Sequence, residues 1–345
     1  MAASAVTGPL QVNSAGDARA LALKVFSGEL LVAFERASTV KPTLMKKTIG
    51  AGKTAQFPAF GRVDASFHVR GENILEDGSH LKQINTVERT ISVDELLTSS
   101  VFVPGIDEML AHYDTRSPYA VQLGESLSRT YDQYAIRQIA RAARTNTTTD
   151  STFIPTDLGN SQGGGGFIGS SSITTGTVSS ANGSTMLDHL HQAAKILDDK
   201  HVPREGRYVA IPPYLYWSLV LNKDILNRDY GGEQNGVFFR GTAAMAAGFM
   251  LVETTNIPSD TKTTNDAGEI NDYRGDNSGL IAVAYHMTAA GSLWRLEPTL
   301  DMDADRVDYQ GTLMVAKLLA GTGRLRPEAA VEISADASQP NLLGT

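Results

Sequence analysis

Residues 117–144 read SPYAVQLGESLSRTYDQYAIRQIARAAR, and their apolar spacing predicts one long α-helix. Ser117 can cap the first free amide groups, and Pro118 lies in the first turn, where its missing N–H costs nothing. The apolar stripe consists of Ala120, Leu123, Leu127, Tyr131, Ala135, Ile139 and Ala142. At about 1.5 Å per residue the rod would span roughly 40 Å, much longer than the helices of about 11–12 residues typical of globular domains. We therefore take this helix as the element around which the rest of the chain is organised.

The charges and the glycine of this stretch suggest how the rod would behave. Glu125 lies near its start, and Arg137, Arg141 and Arg144 crowd its end, which matches the helix dipole. Gly124 costs roughly 1 kcal/mol of helix propensity relative to alanine. The sequence therefore predicts a bendable point at Gly124, and it predicts that Gly124→Ala stabilises the subunit.

Composition excludes several classes of protein. The chain has 345 residues, 41% of them hydrophobic and 20% charged, which is ordinary for a folded soluble protein. It contains no cysteine, so disulfides, thiolate nucleophiles and cysteine metal sites are excluded. No apolar run approaches the ~20 residues of a membrane span, and the first residues lack the pattern of a signal peptide. The net charge of -8 argues against a broad electrostatic grip on nucleic acid.

The region before the helix has a period of two, which is typical of strands. Apolar residues alternate with polar ones over 62–70 and again over 86–93. The polar, turn-rich stretch from Gly71 to Gln83 between them predicts a hairpin with a long tip. Because a lone two-stranded hairpin is marginal in water, its apolar faces need a partner. That partner is either a neighbouring subunit or the chain's own domain, and the pattern leaves both open.

The region after the helix predicts a mixed α/β unit. Residues 145–184 are rich in Thr, Ser and Gly and are typical of an irregular connection. We predict a helix over 185–200, strands over 208–211, 248–253 and 280–285, and a helix opened by Pro212 and Pro213. Residues 259–278 are polar and predict a surface loop, and strands return over 296–333. The last ten residues show the periodicity of neither a helix nor a strand.

Four motifs could carry chemistry, and each falls short. Residues 49–54, IGAGKT, resemble the end of a phosphate-binding loop, but Lys47 stands where the first glycine is needed and no helix follows. Asp301, Asp303 and Asp305 resemble the start of a calcium loop that lacks its glycine and its closing glutamate.

The other two motifs are equally incomplete. His189 and His191 fall on different faces of their predicted helix, so they cannot converge on one metal by themselves. The four glycines at 163–166 lack the strand–turn–helix setting of a phosphate site. We therefore predict no catalytic, cofactor-binding or metal-binding residues.

The order of arm, long hairpin, long helix, α/β unit and returning strands resembles the HK97-like fold of tailed-phage major capsid proteins. Several segments look like podophage capsid proteins of the T7 type, although Arg70 stands where proline is expected. These segments are LKVFSGE at 23–29, GKTAQFP at 52–58, RGEN at 70–73, HYD at 112–114, QLGES at 122–126 and GRLRPEAA at 323–330. Residues 146–278 match only in layout.

The resemblance implies an α+β fold with a fixed division of the chain. Residues 1–40 would be an N-terminal arm and residues 41–104 an extended β-hairpin loop that reaches over the adjacent subunit. Residues 105–183 would form a peripheral domain around the spine helix, residues 184–295 an axial α/β domain, and residues 296–335 the returning strands of the peripheral domain. Residues 336–345 would be a C-terminal tail.

The resemblance further implies a structural protein of the virion, assembled in the bacterial host cytoplasm, with no enzymatic activity and no cofactor. Copies of the chain would form hexamers and pentamers of an icosahedral T=7 shell around double-stranded DNA, held without sequence-specific contacts. A scaffolding protein during assembly and a portal protein at one vertex would be further partners, and no membrane is implied. Two alternatives stay open: a nanocompartment shell with the same fold and, from another class, a nucleotide-binding enzyme.

Overall fold

The computed structural model describes residues 30–60 except 36, 86–105, 116–145, 167–169, 178–222, 245–303 and 310–335, with positions 65, 67, 68, 70, 71 and 73 in the hairpin. Its helices are α1 (Arg116–Arg144), α2 (Ser180–Asp199) and α3 (Pro213–Val220). Its strands are β1 (Met45–Thr48), β2 (Thr54–Phe60), β3 (Thr86–Ser92), β4 (Leu97–Pro104), β5 (Phe167–Gly169), β6 (Arg207–Ile211), β7 (Met245–Ala246), β8 (Phe249–Glu253), β9 (Thr261–Lys262), β10 (Gly275–Asp276), β11 (Leu280–His286), β12 (Ala290–Asp303), β13 (Gly311–Arg324) and β14 (Ala330–Ser334). Short 3-10 turns cover Lys41–Thr43 and Pro327–Ala329.

A four-stranded sheet in the order β1-β12-β13-β4 supports the first half of α1. β12 and β13 are long antiparallel partners, while β1 joins β12 in parallel and β4 joins β13 antiparallel. The shared core contains Leu123, Leu127 and Tyr131 of the helix with Trp294 and Met314 of the sheet. Both ends of the 41–104 segment therefore lie in this sheet, because β1 and β4 are its two edge strands.

A six-stranded sheet in the order β5-β14-β11-β6-β8-β7 forms the second unit. Its central strand β11 is buried along its whole length, as expected for a continuous apolar run. The largest core cluster joins this sheet to α2, α3 and the second half of α1. The predicted helices and strands between 185 and 285 are present, with boundaries shifted by a few residues.

Two predicted assignments differ from the structure at the unit boundaries. Residues 330–334, which the sequence placed with the returning strands, pair antiparallel with β11 of the six-stranded sheet. β12 runs unbroken from Ala290 to Asp303 across the expected boundary at 295. β14 is a short buried strand, and its residues carry no signal for which of the two sheets it joins.

The hairpin also differs from its prediction. The partner of β3 is β2, with Thr54 opposite Ser92 and Phe60 opposite Thr86, rather than the cleaner alternation at 62–70. Pro58 is tolerated in β2 because both strands of a two-stranded hairpin have a free edge. Positions 65, 67 and 68 are described and are not in a strand, whereas Val63 and most of the predicted tip, 71–83, lie outside the described residues.

Candidate assembly elements

The first half of α1 is held by an apolar stripe and by the end of the arm. Residues 30–35 are helical, and Leu30 and Phe34 are fully buried against α1 and the four-stranded sheet. The rings of Phe34, Tyr131 and Trp294 form a cluster with centroid distances of 4.9–6.2 Å. The solvent side of this half is polar, so it follows the stripe predicted from the sequence.

Gly124 has a different role from the predicted one. A Cβ placed on Gly124 would lie 2.8 Å from the carbonyl oxygen of Leu30 and 3.2 Å from the Cβ of Ala33. The backbone of residues 30–35 therefore approaches the helix closely at this glycine. This geometry argues against the expectation that Gly124→Ala stabilises the subunit, because the added methyl group would meet the backbone of Leu30.

Asp132, at the middle of α1, ties three segments together. Its carboxylate accepts hydrogen bonds from Ser38 Oγ at 2.8 Å, Thr39 N at 3.0 Å and Asn256 Nδ2 at 3.3 Å. Burial raises the pKa of Asp132 above its ordinary value, and the hydrogen bonds from Ser38, Thr39 and Asn256 oppose that rise. The arm therefore joins the subunit at the point where the two sheets share the helix.

The second half of α1 is buried on every side, from Ala135 to Arg144. The three arginines near the C-terminal end of α1, whose charges match the helix dipole, are buried and paired with acidic residues. Arg137 pairs with Asp260, Arg141 with Asp272 at 2.8 Å, and Arg144 with Glu332, whose Oε1 lies 2.7 Å from Nη2.

These acidic partners place the second half of α1 within the six-stranded unit. Asp260 and Asp272 lie in the segment 259–278 that was predicted as a simple surface loop, and Glu332 lies on β14. Burial opposes the ionised form of Asp272, but the guanidinium groups of Arg274 and Arg141 hold its pKa well below the ordinary value. The segment 259–278 is thus bound to the helix by charge.

The hairpin is seated on three glycines, which we call the glycine seat: Gly291, Gly321 and Gly323. Gly291 lies opposite Gly323 in the β12–β13 ladder, and a Cβ at either position would meet the side chain of Ile91 at 2.9–3.1 Å. A Cβ at Gly321 would collide with the carbonyl oxygen of Ser92. The missing side chains let β3 lie directly on the sheet, where Ala55, Ile91 and Val93 form a small core with Leu293 and Leu325.

Hydrogen bonds lock the hairpin next to this seat. Asp94 Oδ1 accepts from the backbone N–H groups of Ile270 at 2.8 Å and Asn271 at 2.9 Å, and Oδ2 accepts from the Tyr273 hydroxyl. The side chain of Asn271 donates to the Ser92 carbonyl at 2.7 Å and accepts from its N–H at 3.2 Å. Burial raises the pKa of Asp94, and the donors from Asn271, Tyr273 and Ile270 oppose that rise.

The four incomplete motifs do not form a common site in the described part of the chain. Residues 50–54 are exposed and lead into β2 rather than into a helix, which removes the setting of a phosphate-binding loop. Asp301 and Asp303 lie on β12, and Asp301 pairs with Lys317, while Asp305 and glycines 163–166 lie outside the described residues. His189 is buried and His191 is exposed on α2.

The described residues also lack the features of a metal site and of a membrane-spanning helix. No group of three or more His, Asp or Glu side chains is placed to hold a metal ion within the described ranges. In the same part of the chain, no helix is long and apolar enough to cross a membrane. The described residues form a hairpin that is fixed at its base and a helix, α1, that packs on both sheets.

Comparison with known proteins identifies this arrangement. The family model described as Gp10A-like major capsid protein matches residues 56–334. The chain belongs to the Gp10A-like family of major capsid proteins. It is 31% identical to the major capsid protein of Enterobacteria phage T3 over 336 residues, which cover 92% of each chain.

Solved structures agree with the family. A capsid structure of the cyanophage P-SCSP1u is 33% identical, with a TM-score of 0.68 and coverage of 86% of this chain and 87% of that one. The mature capsid of bacteriophage PhiM1 is 17% identical with a TM-score of 0.64 and coverage of 86% of each chain, which shows the same fold. The fold is the α+β HK97-like capsid fold, as predicted.

Membership of the Gp10A-like family makes the chain a structural component of the virion capsid rather than an enzyme. The resemblance drawn from short segments of the sequence is therefore confirmed. The important residues of this capsid protein that sequence reasoning missed are the glycine seat and Asp94 with Asn271 and Tyr273. The spacing G-T-G at 321–323 inside an apolar strand was the available signal, because glycines within strands often mark a close approach of another backbone.

Proposed function

We propose that copies of this chain tile a closed icosahedral shell of hexamers and pentamers, with T=7 geometry, around double-stranded DNA. The observation that carries the proposal is the hairpin, whose base is fixed to its own subunit by the glycine seat and by Asp94. Beyond the described strand, Phe67 is fully exposed. A segment that is anchored at one end and presents an exposed aromatic side chain at the other is suited to contact a neighbouring copy.

Such a contact is head-to-tail, since the hairpin of one copy meets a different surface of the next. Head-to-tail contacts close into rings when the rotation between copies divides a full turn, and otherwise give open filaments. The proposed head-to-tail assembly fits the division of the chain that the resemblance implies. That division has an arm (1–40), an extended loop (41–104), a peripheral domain (105–183 and 296–335), an axial domain (184–295) and a tail (336–345). We change this division at two places: β14 is assigned to the axial domain, and the start of β12 is assigned to the peripheral domain.

The further partners follow from the same reading. A scaffolding protein would set the curvature during assembly, and a portal protein would replace one pentamer. The net charge of -8 fits a wall that holds packaged DNA without gripping its phosphates, since many cationic contacts would hinder its release.

Electron microscopy tests the shell. The full chain should be expressed with and without the co-expressed scaffolding protein of its phage, and the particles purified and imaged. We expect uniform closed shells with hexamers and pentamers when scaffolding protein is present, and irregular shells or open sheets when it is absent. Soluble subunits that form no closed particle in either preparation would contradict the proposal.

The contents of particles distinguish this function from that of a nanocompartment shell. Particles from infected cells should contain nuclease-protected double-stranded DNA without sequence enrichment. An enzyme enclosed in place of DNA would favour the nanocompartment. Retention of ATP by purified subunits, lost in Lys53→Ala, would instead support the nucleotide-binding alternative, which the exposed loop at 50–54 and the family membership disfavour.

A further inference from the structure

A cavity of about 130 Å³ lies beside the base of the hairpin. Four elements meet around it: the chain that leaves the hairpin at 94–97, the middle of α1, the loop at 266–273 and β13. Its walls are largely apolar and include Leu97, Tyr131, Tyr134, Leu318 and Ala320. An engineered protein cavity of about 150 Å³ accommodates benzene, so this space matches a single aromatic ring.

The rim of the cavity is acidic. Asp94, Glu95, Asp266 and Glu269 all line it, and Lys262 pairs with Asp266 at 2.8 Å and with Glu269. Asp94 is already occupied by its hydrogen bonds to the loop, but Glu95 is exposed. The rim therefore carries an excess of negative charge, and it favours a ligand that combines an apolar ring with a nearby cation.

The chain itself carries such a group on the hairpin. Phe67 is fully exposed and belongs to the sequence SFHVR, in which Arg70 follows three residues later. Phe67 lies thirteen residues beyond Thr54, so it can stand up to roughly 40 Å from the hairpin base. Because the cavity lies at that base, and Phe67 does not occupy it within its own subunit, the natural recipient of Phe67 is a neighbouring copy.

We propose that the cavity beside the hairpin base receives Phe67 of a neighbouring subunit, with Arg70 of that neighbour set against Glu95 at the rim. This inference rests on the proposed shell function and assigns one contact within it. Each subunit would give one aromatic side chain and receive one, which is a head-to-tail contact. The filled cavity borders residues 94–97, so occupation by one neighbour stiffens the base of the hairpin that reaches the next.

Disulfide trapping tests the contact, because the chain has no cysteine of its own. Subunits carrying only Phe67→Cys should be co-assembled with subunits carrying only Ala267→Cys, an exposed position at the cavity, and then oxidised. The matched control replaces the second variant by Thr263→Cys, which is exposed in the same loop but does not line the cavity. We expect at least about tenfold more covalent dimer from the 67–267 mixture, since a disulfide requires Cβ atoms within about 4.5 Å.

A charge exchange provides the second measurement. Arg70→Glu and Glu95→Arg should each reduce the yield of closed shells several-fold, and the chain that carries both should regain most of it. Electron microscopy of the parent reports whether shells form at all, so a failure of the shell function is seen separately. If the parent forms shells but the 67–267 and 67–263 mixtures give equal amounts of covalent dimer, the assignment of Phe67 is overturned. The same holds if the double charge exchange gives no recovery.

Discussion

The two halves of α1 are buried in different ways. The first half, to Asp132, lies on the four-stranded sheet through one apolar stripe and keeps a polar side in solvent. The second half, from Ala135, is enclosed by the six-stranded unit and carries three arginines paired with Asp260, Asp272 and Glu332. The first half is held by apolar packing and, at its end, by the hydrogen bonds of Asp132, whereas the second half combines packing with three arginine–carboxylate pairs.

This difference assigns the two halves different tasks in a shell. A one-sided apolar contact is non-directional and tolerates small rotations of the helix on the sheet. The Arg144–Glu332 pair, which is buried on both sides, requires fixed geometry, because a displaced charge is left without its partner in a medium that solvates it poorly. We therefore expect the second half of α1 to be rigidly attached and the first half to adapt, and the following variants test this contrast.

The largest effect should follow loss of the Arg144–Glu332 pair. Both side chains are essentially inaccessible to solvent, so Glu332→Ala leaves a buried unpaired guanidinium and should lower the free energy of unfolding by about 3–5 kcal/mol. Urea unfolding of the purified subunit measures this. The double variant Arg144→Met/Glu332→Leu is the control, since it removes both charges and should recover most of the loss. A single variant as stable as the parent would remove the distinction between the two halves.

Leu127→Ala tests the first half. Leu127 is buried in the cluster with Trp294, so we expect a loss of about 2–4 kcal/mol from lost burial and the resulting cavity. Fluorescence of Trp294, which lies in the same cluster, should change with the unfolding transition. Arg129→Ala, on the exposed side of the next turn, is the matched control and should change stability by less than about 0.5 kcal/mol. Equal losses in the two variants would show that the stripe does not hold this half.

Gly124→Ala should give a smaller loss. The methyl group gains about 1 kcal/mol of helix propensity but meets the Leu30 carbonyl, and such overpacking costs about 1–3 kcal/mol. We expect a net destabilisation of about 1 kcal/mol in urea unfolding. Ser126→Ala, at an exposed position of the same helix, should be neutral or slightly stabilising. A clear gain in stability from Gly124→Ala would mean that residues 30–35 are not held against the helix.

Sequence alone predicted the parts of this fold that depend on local pattern. The helix over 117–144 and its stripe were predictable because a 3.6-residue period persists for seven turns. The burial of the three arginines Arg137, Arg141 and Arg144 could not be predicted, because their partners are more than 120 residues away in sequence. The glycine seat was missed for the same reason: Gly321 is explained by Ser92 and Asn271, which are distant from it in sequence.

The smallest effect we predict is on the acid dependence of stability, and it has opposite signs at two aspartates. Asp272 has a lowered pKa, so it contributes stability that is present above the ordinary value of 3.8 and is lost as the pH falls below it. Asp132 has a raised pKa, so ionising it costs stability, and that cost appears as the pH rises through the range above 3.8. Compared with the parent, Asp272→Asn should therefore lose less stability on acidification below about pH 4. Asp132→Asn should lack the gain in stability that the parent obtains on acidification toward about pH 4.

Urea unfolding from pH 3 to pH 7 measures both profiles. Asp188→Asn, an exposed carboxylate on α2, controls for the loss of one charge. If both variants follow the parent at every pH, then protonation of neither Asp272 nor Asp132 changes stability, and these two carboxylates do not contribute to the contrast between the two halves of α1.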